Sequence, residues 1–327
     1  MRTHRSLVVD RVAFSSYSRR RDASATSLRG MATRAAPPAA PTALATPAPP
    51  RELSNIEAFV ASATPVFVVR GDPTASSSQS SSGYALSELF AAFDEPSAFG
   101  AEVPLRLHNT QDVSQYYVPF LSGVQLYVRE SDDADGGERL AFEFFETSSP
   151  YSRPSMSETT RAITDAHPEL AHMRSDALAP SSWMSVAWYP IYRIPQGTML
   201  HDVQGSFLTY HALYDGALRD GDVACPLPPA MSDAQERLIE ERVTRAKEAA
   251  AIESGGGGGV DDDDDATGIS TRVLRPFGLS VYKMQGDVWA ANERATKWME
   301  SLMDGAFTWL RFRKIIHADY EFFAHFG

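Results

Sequence analysis

Apolar positions recur at helical spacing most clearly near the end of the chain. Ala295, Trp298, Met299, Leu302, Met303, Ala306, Trp309 and Leu310 predict a helix with one apolar stripe. Ile56, Phe59 and Val60 keep the same period behind the capping-box pattern Ser54-Asn-Ile-Glu57, and Pro65 ends that helix. Residues 84–95 (YALSELFAAFDE) resume it, and Ser155-Met-Ser-Glu158 is a second capping box that opens a helix through about Ala166. Elsewhere the period drops to two. Val124-Gln-Leu-Tyr-Val128 alternates, and so do Leu140, Phe142 and Phe144. The acidic, Gly-containing stretch Ser131 to Gly137 lies between them, which predicts a hairpin. Ser206 to Tyr214 reads as a further strand. So do Leu279 to Met284 and Val288-Trp289, flanking the turn signal Gly286-Asp287.

The densest stretch is Ser182 to Gly197, SWMSVAWYPIYRIPQG. As a strand it puts Val186, Trp188, Pro190, Tyr192 and Ile194 on one face and Ser185, Ala187, Tyr189, Ile191 and Arg193 on the other. Both faces are largely apolar, so the strand is expected to be covered on both sides. Pro190 cannot donate to a ladder and implies an edge or a bulge, and Pro195 with Gln196-Gly197 ends the strand. A second aromatic-proline element, Gln115-Tyr-Tyr-Val-Pro-Phe120, precedes it. Two readings stay open. The aromatics form core, or Tyr117, Phe120, Trp188, Tyr189, Tyr192 and Arg193 line a groove for a partner peptide or small ligand. Arg193 would then meet a ligand carboxylate or phosphate, or else an internal acid such as Glu143 or Glu146.

Strands and helices mix without regular β-α-β alternation. That predicts an α+β domain on a mostly antiparallel sheet flanked by helices, with a doubly wound parallel sheet as the alternative. Residues 1–53 read as a disordered basic tail or transit-like segment, 54–215 and 273–327 as two parts of one domain, and 216–272 as an insertion. The insertion carries a charged helix capped by Ser232-Asp-Ala-Gln235, then Gly255 to Gly259 and Asp261 to Asp265, a solvated low-complexity linker. Gly71 to Gly83 is a Ser-rich loop, and Arg70-Gly71-Asp72 at its start is a chance tripeptide.

The 327 residues carry a formal charge of -12, unevenly distributed. Residues 1–50 hold eight Arg against Asp10 and Asp22, leaving 22 basic and 40 acidic side chains in the rest. An acidic body argues against nucleic-acid binding, leaving RNA contact through the basic arm as a minor reading. No apolar run is long enough to span a membrane. The expected location is intracellular, in cytoplasm or nucleus, or in chloroplast or mitochondrion if residues 1–50 are a transit peptide; Met1 and Met31 are both candidate starts. The single cysteine, Cys225, lies in a Pro-rich, loose stretch and has no chemistry assigned.

No His-Glu-x-x-His, Cys-x-x-Cys, Gly-x-Ser-x-Gly or P-loop pattern occurs, so no metal or cofactor is expected. His211 and Asp202 are candidates for a base and its orienter, with Ser181, Ser182 or Ser185 as nucleophile, the chemistry of a hydrolase or transferase. His317 with Asp319 is a weaker pair of the same kind. The commoner reading of both His211 and His317 is a hydrogen-bonded core residue.

Long segments also carry a likeness to a family. They are Ser54 to Phe59, Ser97 to Leu105, Gln115 to Tyr127, Phe142 to Glu146 with Pro150 to Arg153, Pro180 to Pro195, Phe207 to His211, Phe277-Gly-Leu with Tyr282-Lys283, and His317 to Phe323. In these the chain resembles the plant and green-algal family called domain of unknown function 789. Pro96 stands where the family motif has Trp, Ala318 where it has Pro, and His201 where Lys is usual. The resemblance implies one folded domain and no established reaction, ligand or cofactor. The leading expectation is a non-catalytic interaction or regulatory domain, with the His211–Asp202 enzyme as the alternative.

Overall fold

The computed structural model describes residues 53–70, 83–107, 111–130, 137–191, 203–253, 269–284 and 286–326. The N-terminal tail, the Ser-rich loop, the Gly and Asp runs, Tyr192, Arg193, His201 and Asp202 lie outside them.

Helix α1 (Asn55–Ala63) starts where the capping box predicts, with the Glu57 carboxylate accepting from the Ser54 amide at 2.9 Å. It leads into strand β1 (Val66–Arg70). The helical period of residues 84–95 resolves into α2 (Leu86–Ala91) and the start of α3 (Asp94–Phe99). Strands β2 (Ala101–Arg106), β3 (Asp112–Arg129) and β4 (Glu138–Phe145) follow, then α4 (Met156–Ala166) behind its own capping box and α5 (Pro168–His172). After β5 (Trp183–Ile191) and β6 (Ser206–Ala212) come α6 (Asp233–Glu253), β7 (Ile269–Val273) and β8 (Pro276–Tyr282). Gly286-Asp287 opens the short helix α7 (Gly286–Trp289), so the strand expected at Val288-Trp289 is not formed. Helices α8 (Glu293–Arg313) and α9 (Ala318–Phe326) end the chain.

The main sheet is antiparallel in the order β2-β3-β5-β6-β8, with β4 added to β3, and β1 pairs with β7 in a two-stranded sheet. The long β3 shares one edge between two strands. β2 pairs with its first half, up to Tyr117, and β4 with its second, from Gly123. Pro119 falls in the gap, where among the described residues no strand needs its missing N–H. Pro190 likewise lies beyond the last β5–β6 pair, Trp188 with Phe207, where among the described residues β5 has no neighbour on that side.

The two faces of the sheet bury different clusters. On the first, α1 presses Phe59 into a ring of aromatics. Phe207 stacks on it at 4.0 Å between centroids, with Tyr117 at 5.1 Å and Trp188 and Trp289 at 6.4 and 6.3 Å. On the second, Trp183, Tyr210, Phe277, Trp309 and Phe323 pack beneath α8 and α9. Helix α8 lies close on β8 because Gly305 has no side chain: a Cβ there would run into the Phe277 carbonyl.

The segment read as an insertion is tied to the domain at both ends. From α6, Gln235 donates to the Glu57 carbonyl at 3.4 Å, and Arg242 donates to the carbonyls of Ala61 and Thr64 at 2.7 and 2.6 Å. Ile269–Val273 then pairs along the whole of β1.

Candidate functional site

The four groove residues that the structure describes do not share a surface. Alternation along β3 and β5 sends Tyr117 and Trp188, 0% and 1% exposed, into the cluster around Phe59. It sends Phe120 and Tyr189 to the opposite face, where their rings lie 5.8 Å apart and remain half-buried. Tyr192 and Arg193 lie outside the described residues. The acids expected to hold Arg193 have other partners: Gln125 donates to Glu143 at 2.6 Å, and Glu146 accepts from the amides of Thr147 and Ser148.

His211 is sealed, at 0% exposure, on the Trp188 face. A carbonyl can only accept, so Nδ1–H donates to Leu274 O at 2.8 Å. Nε2 then accepts from the Thr209 hydroxyl at 2.9 Å, and that oxygen accepts the Trp188 indole N–H at 3.1 Å. Every position of this neutral imidazole is occupied. Burial pushes its pKa down to about 4, against the opposing pull of the Leu274 carbonyl. Ser185 pairs with Tyr210 and points to the other face, Ser181 donates to Glu138, and Ser182 is bound to the Tyr127 backbone. The His211 base therefore meets none of its expected serine partners, and Asp202 lies outside the described residues.

A different constellation forms on the second face. Ser122 is the extra residue of a β-bulge: Leu121 pairs with Val186 and Gly123 with Ser185, leaving Ser122 between them. Its hydroxyl lies 2.9 Å from His317 Nε2 and 2.5 Å from Asp319 Oδ2. Arg153 grips the same carboxylate in a fork, at 2.7 and 2.6 Å, and the Tyr210 hydroxyl lies 2.9 Å from His317 Nδ1. Ser122, Tyr210, His317 and Asp319 are all buried.

The protons can be placed. The Arg153-paired carboxylate only accepts, so Ser122 O–H points to Asp319. The serine oxygen then accepts from His317 Nε2–H, and Nδ1 accepts from Tyr210 O–H. Burial lowers the His317 pKa to about 4, although Asp319 pulls it the other way, and burial drives the Tyr210 phenol well above its ordinary range. Burial opposes the Arg153 charge, but Asp319 more than offsets it, so that pKa is raised. The sequence paired His317 with Asp319. It carried no signal for Ser122, 195 residues away from the histidine.

The residues present the ingredients of a catalytic triad with the wiring reversed. In a triad the carboxylate holds Nδ1–H so that Nε2 can take the serine proton. Here Nε2 already carries a proton, and the carboxylate binds the serine itself. Cys225 is also buried, which pushes its thiol pKa up and away from the reactive thiolate. Among the described residues no group of three or more His, Cys, Asp and Glu is placed to hold a metal ion, and no helix is long and apolar enough to cross a membrane.

Among the described residues, part of the second sheet face stays uncovered. Beyond α9, the outer half of β2, β3 and β5 presents Pro104, Tyr116, Val118, Phe120, Tyr189 and Ile191, all half-buried except the exposed Tyr116. Gly100, at φ 82°, crosses this patch so closely that a Cβ would stand 3.0 Å from Tyr116 Cβ and 3.1 Å from Ile191 Cδ1.

No curated protein and no solved structure shows a significant similarity to the chain. The segments that build both sheet faces, from the α1 capping box through the bulge at Ser122 to His317 and Asp319, fall within two consecutive matches to one family model, over residues 54–138 and 128–323; the chain belongs to the family described as protein of unknown function (DUF789).

Proposed function

We propose that the domain is a non-catalytic interaction module that docks a basic, apolar-rich peptide of a partner protein on the uncovered half of its second sheet face. The observation that carries this reading is the contrast between the two kinds of site. The side chains able to do chemistry are buried and mutually satisfied, while an aromatic strip of Tyr116, Phe120 and Tyr189 reaches solvent. Such rings bind at low entropy cost because few torsions are frozen. The 40 acidic against 22 basic side chains outside residues 1–50 favour a cationic partner and speed its encounter. Of the original groove, Phe120 and Tyr189 belong to this strip, and Tyr117 and Trp188 support it from behind.

The test is purification of tagged full-length protein from its native cell, followed by the same purification of Tyr116→Ser. A stoichiometric partner that is lost from the folded variant supports docking here. A partner retained undiminished by Tyr116→Ser and by Val118→Ser removes the sheet face from consideration.

A further inference from the structure

The segment between β6 and α6 contains Cys225-Pro-Leu-Pro-Pro-Ala230. Residues 222–232 belong to no helix or strand, yet the segment is not the loose stretch its composition predicts. Prolines fix φ at 226, 228 and 229, and the residues before prolines, 225, 227 and 228, are pushed out of the helical region. Pro226, Pro228 and Pro229 therefore carry the polyproline II φ, and Cys225, Leu227 and Pro228 are biased to the extended or polyproline II range, so the sequence favours that conformation along the segment.

Both ends are fastened. Cys225 is buried in the cluster that holds Trp309, its amide donates to Pro180 O at 3.3 Å, and its thiol lies 3.7 Å from Ser182 O. At the other end the Trp298 indole donates to Ala230 O at 3.0 Å, and Ser232 then caps α6. Five steps of polyproline II rise about 15 Å, and the eleven steps along α8 from Trp298 to Trp309 span about 16 Å, so the segment matches α8 in length between these anchors. With three residues per turn, Leu227 and Ala230 share an edge, and both are exposed, Leu227 at 86%. The three prolines are half-buried beside it.

We infer that Pro226-Leu-Pro-Pro229 is a second docking element, a preformed polyproline II ligand for a partner domain with an aromatic-lined proline-recognition groove. Such grooves gain affinity from a ligand whose backbone is already ordered, and here the fold has ordered it before the encounter. The fully exposed Leu227 is the side chain a pocket would take, and the prolines on either side supply the ridges that aromatic rings clasp. The exposed acids Asp220 and Asp233 flank the segment and outnumber Arg219, so the groove that fits carries basic residues at its rim. This element is separate from the sheet face and does not depend on it.

An array of purified SH3-type and WW-type domains, titrated against the full-length chain, tests the inference. At least one domain is expected to bind, with affinity reduced at least tenfold by Leu227→Glu and by the double change Pro226→Ala and Pro229→Ala. Tyr116→Ser is expected to leave this binding unchanged, which separates the two surfaces. Should the proline variant lose its fold, Leu227→Glu still decides, because that side chain supports nothing in the core. No binding by any domain up to about 1 mM, or binding that Leu227→Glu leaves intact, overturns the inference.

Discussion

His317 Nε2 donates to Ser122 Oγ across 2.9 Å, and the Ser122 hydroxyl in turn donates a hydrogen bond to Asp319 across 2.5 Å. The serine is therefore held as a relay between a histidine and a carboxylate and gains no nucleophilicity from either. The native protein is expected to resist a fluorophosphonate probe, with intact mass unchanged after prolonged exposure. A covalent adduct mapped to Ser122 by peptide mass spectrometry would show that the proton sits elsewhere and would reopen the hydrolase reading.

The same relay makes Asp319 costly to lose. Arg153 has a side chain only 3% exposed, and Asp319→Ala removes the carboxylate it grips, leaving only the more distant Glu146 to face its charge. Breaking a buried pair from one side costs about 3–5 kcal/mol, so the urea midpoint is expected to fall by more than for any surface substitution. Replacing both partners, Arg153→Met with Asp319→Leu, removes the stranded charge and is expected to recover a large part of that loss. If the single and double variants unfold at the same midpoint, the pair is not what holds α9 to the sheet.

Stability is expected to fall as pH drops from about 6.5 towards 4. His211 and His317 have pKa values lowered to about 4 in the fold, against an ordinary 6.5. Between those values the unfolded chain binds a proton at each histidine and the folded chain does not. The stabilisation is complete above 6.5 and is lost as pH falls through this window. Charging each ring inside the fold costs about 3 kcal/mol once pH lies below both values, a penalty absent at neutral pH, so the two together give the denaturation free energy a steep acid limb. His211→Gln is expected to remove about one proton from the slope. A flat profile between pH 6.5 and 4.5 contradicts the neutral, sealed state of both rings.

How far the sequence foretold this arrangement follows from the range of each signal. The capping boxes at Ser54 and Ser155 act over three residues, and the α8 stripe over one helix; all three appear where the pattern puts them. The edge character of Pro190 was legible because a missing N–H has few tolerated places. The four described groove residues divide between two faces for a reason also written in the alternation. Trp188 and Tyr189 are adjacent on a strand and must face opposite ways, so a surface using both was excluded once β5 formed. Ser122 was invisible because a bulge, not the local pattern, turns it towards a histidine brought in by the C-terminal helix. Helix α6 also appears where its cap at Ser232 puts it, but its packing was not legible, because it buries only Ala234, Gln235, Ile239 and Ala250, too few to impose a clear period on 21 residues.

Gly305 is expected to tolerate no side chain. Its Cα hydrogen faces the Phe277 carbonyl where α8 crosses β8, and Gly278 presents an equally bare surface to Ala306. Gly305→Ala raises helix propensity, which favours α8 by about 1 kcal/mol. The added methyl must push α8 off the strand, at an overpacking cost of about 1–3 kcal/mol. A net drop in melting temperature is the expected result, the reverse of what an exposed helical glycine would give. A higher melting temperature would place α8 farther from β8 than the structure has it.

Arg242 decides whether α6 is an insertion or a working part of the domain. Its guanidinium reaches from α6 to the C-terminal end of α1 and donates to the carbonyls of Ala61 and Thr64. The last turn of α1 has no basic residue of its own, so this arginine supplies from another helix the donors that a C-terminus needs. Burial pushes its pKa down to about 10, helped by the nearby Arg245, yet it stays protonated at neutral pH and keeps its donors. Arg242→Met preserves most of the stem and strands both carbonyls, at an expected cost of about 1–3 kcal/mol in denaturant unfolding. Both bonds come from Nη1, so Arg242→Lys, which keeps a charged nitrogen with several N–H donors on a different stem, is expected to fall between. If Arg242→Met leaves the unfolding midpoint unchanged, α6 is energetically detached from α1, and the helix can be removed without loss to the rest of the fold.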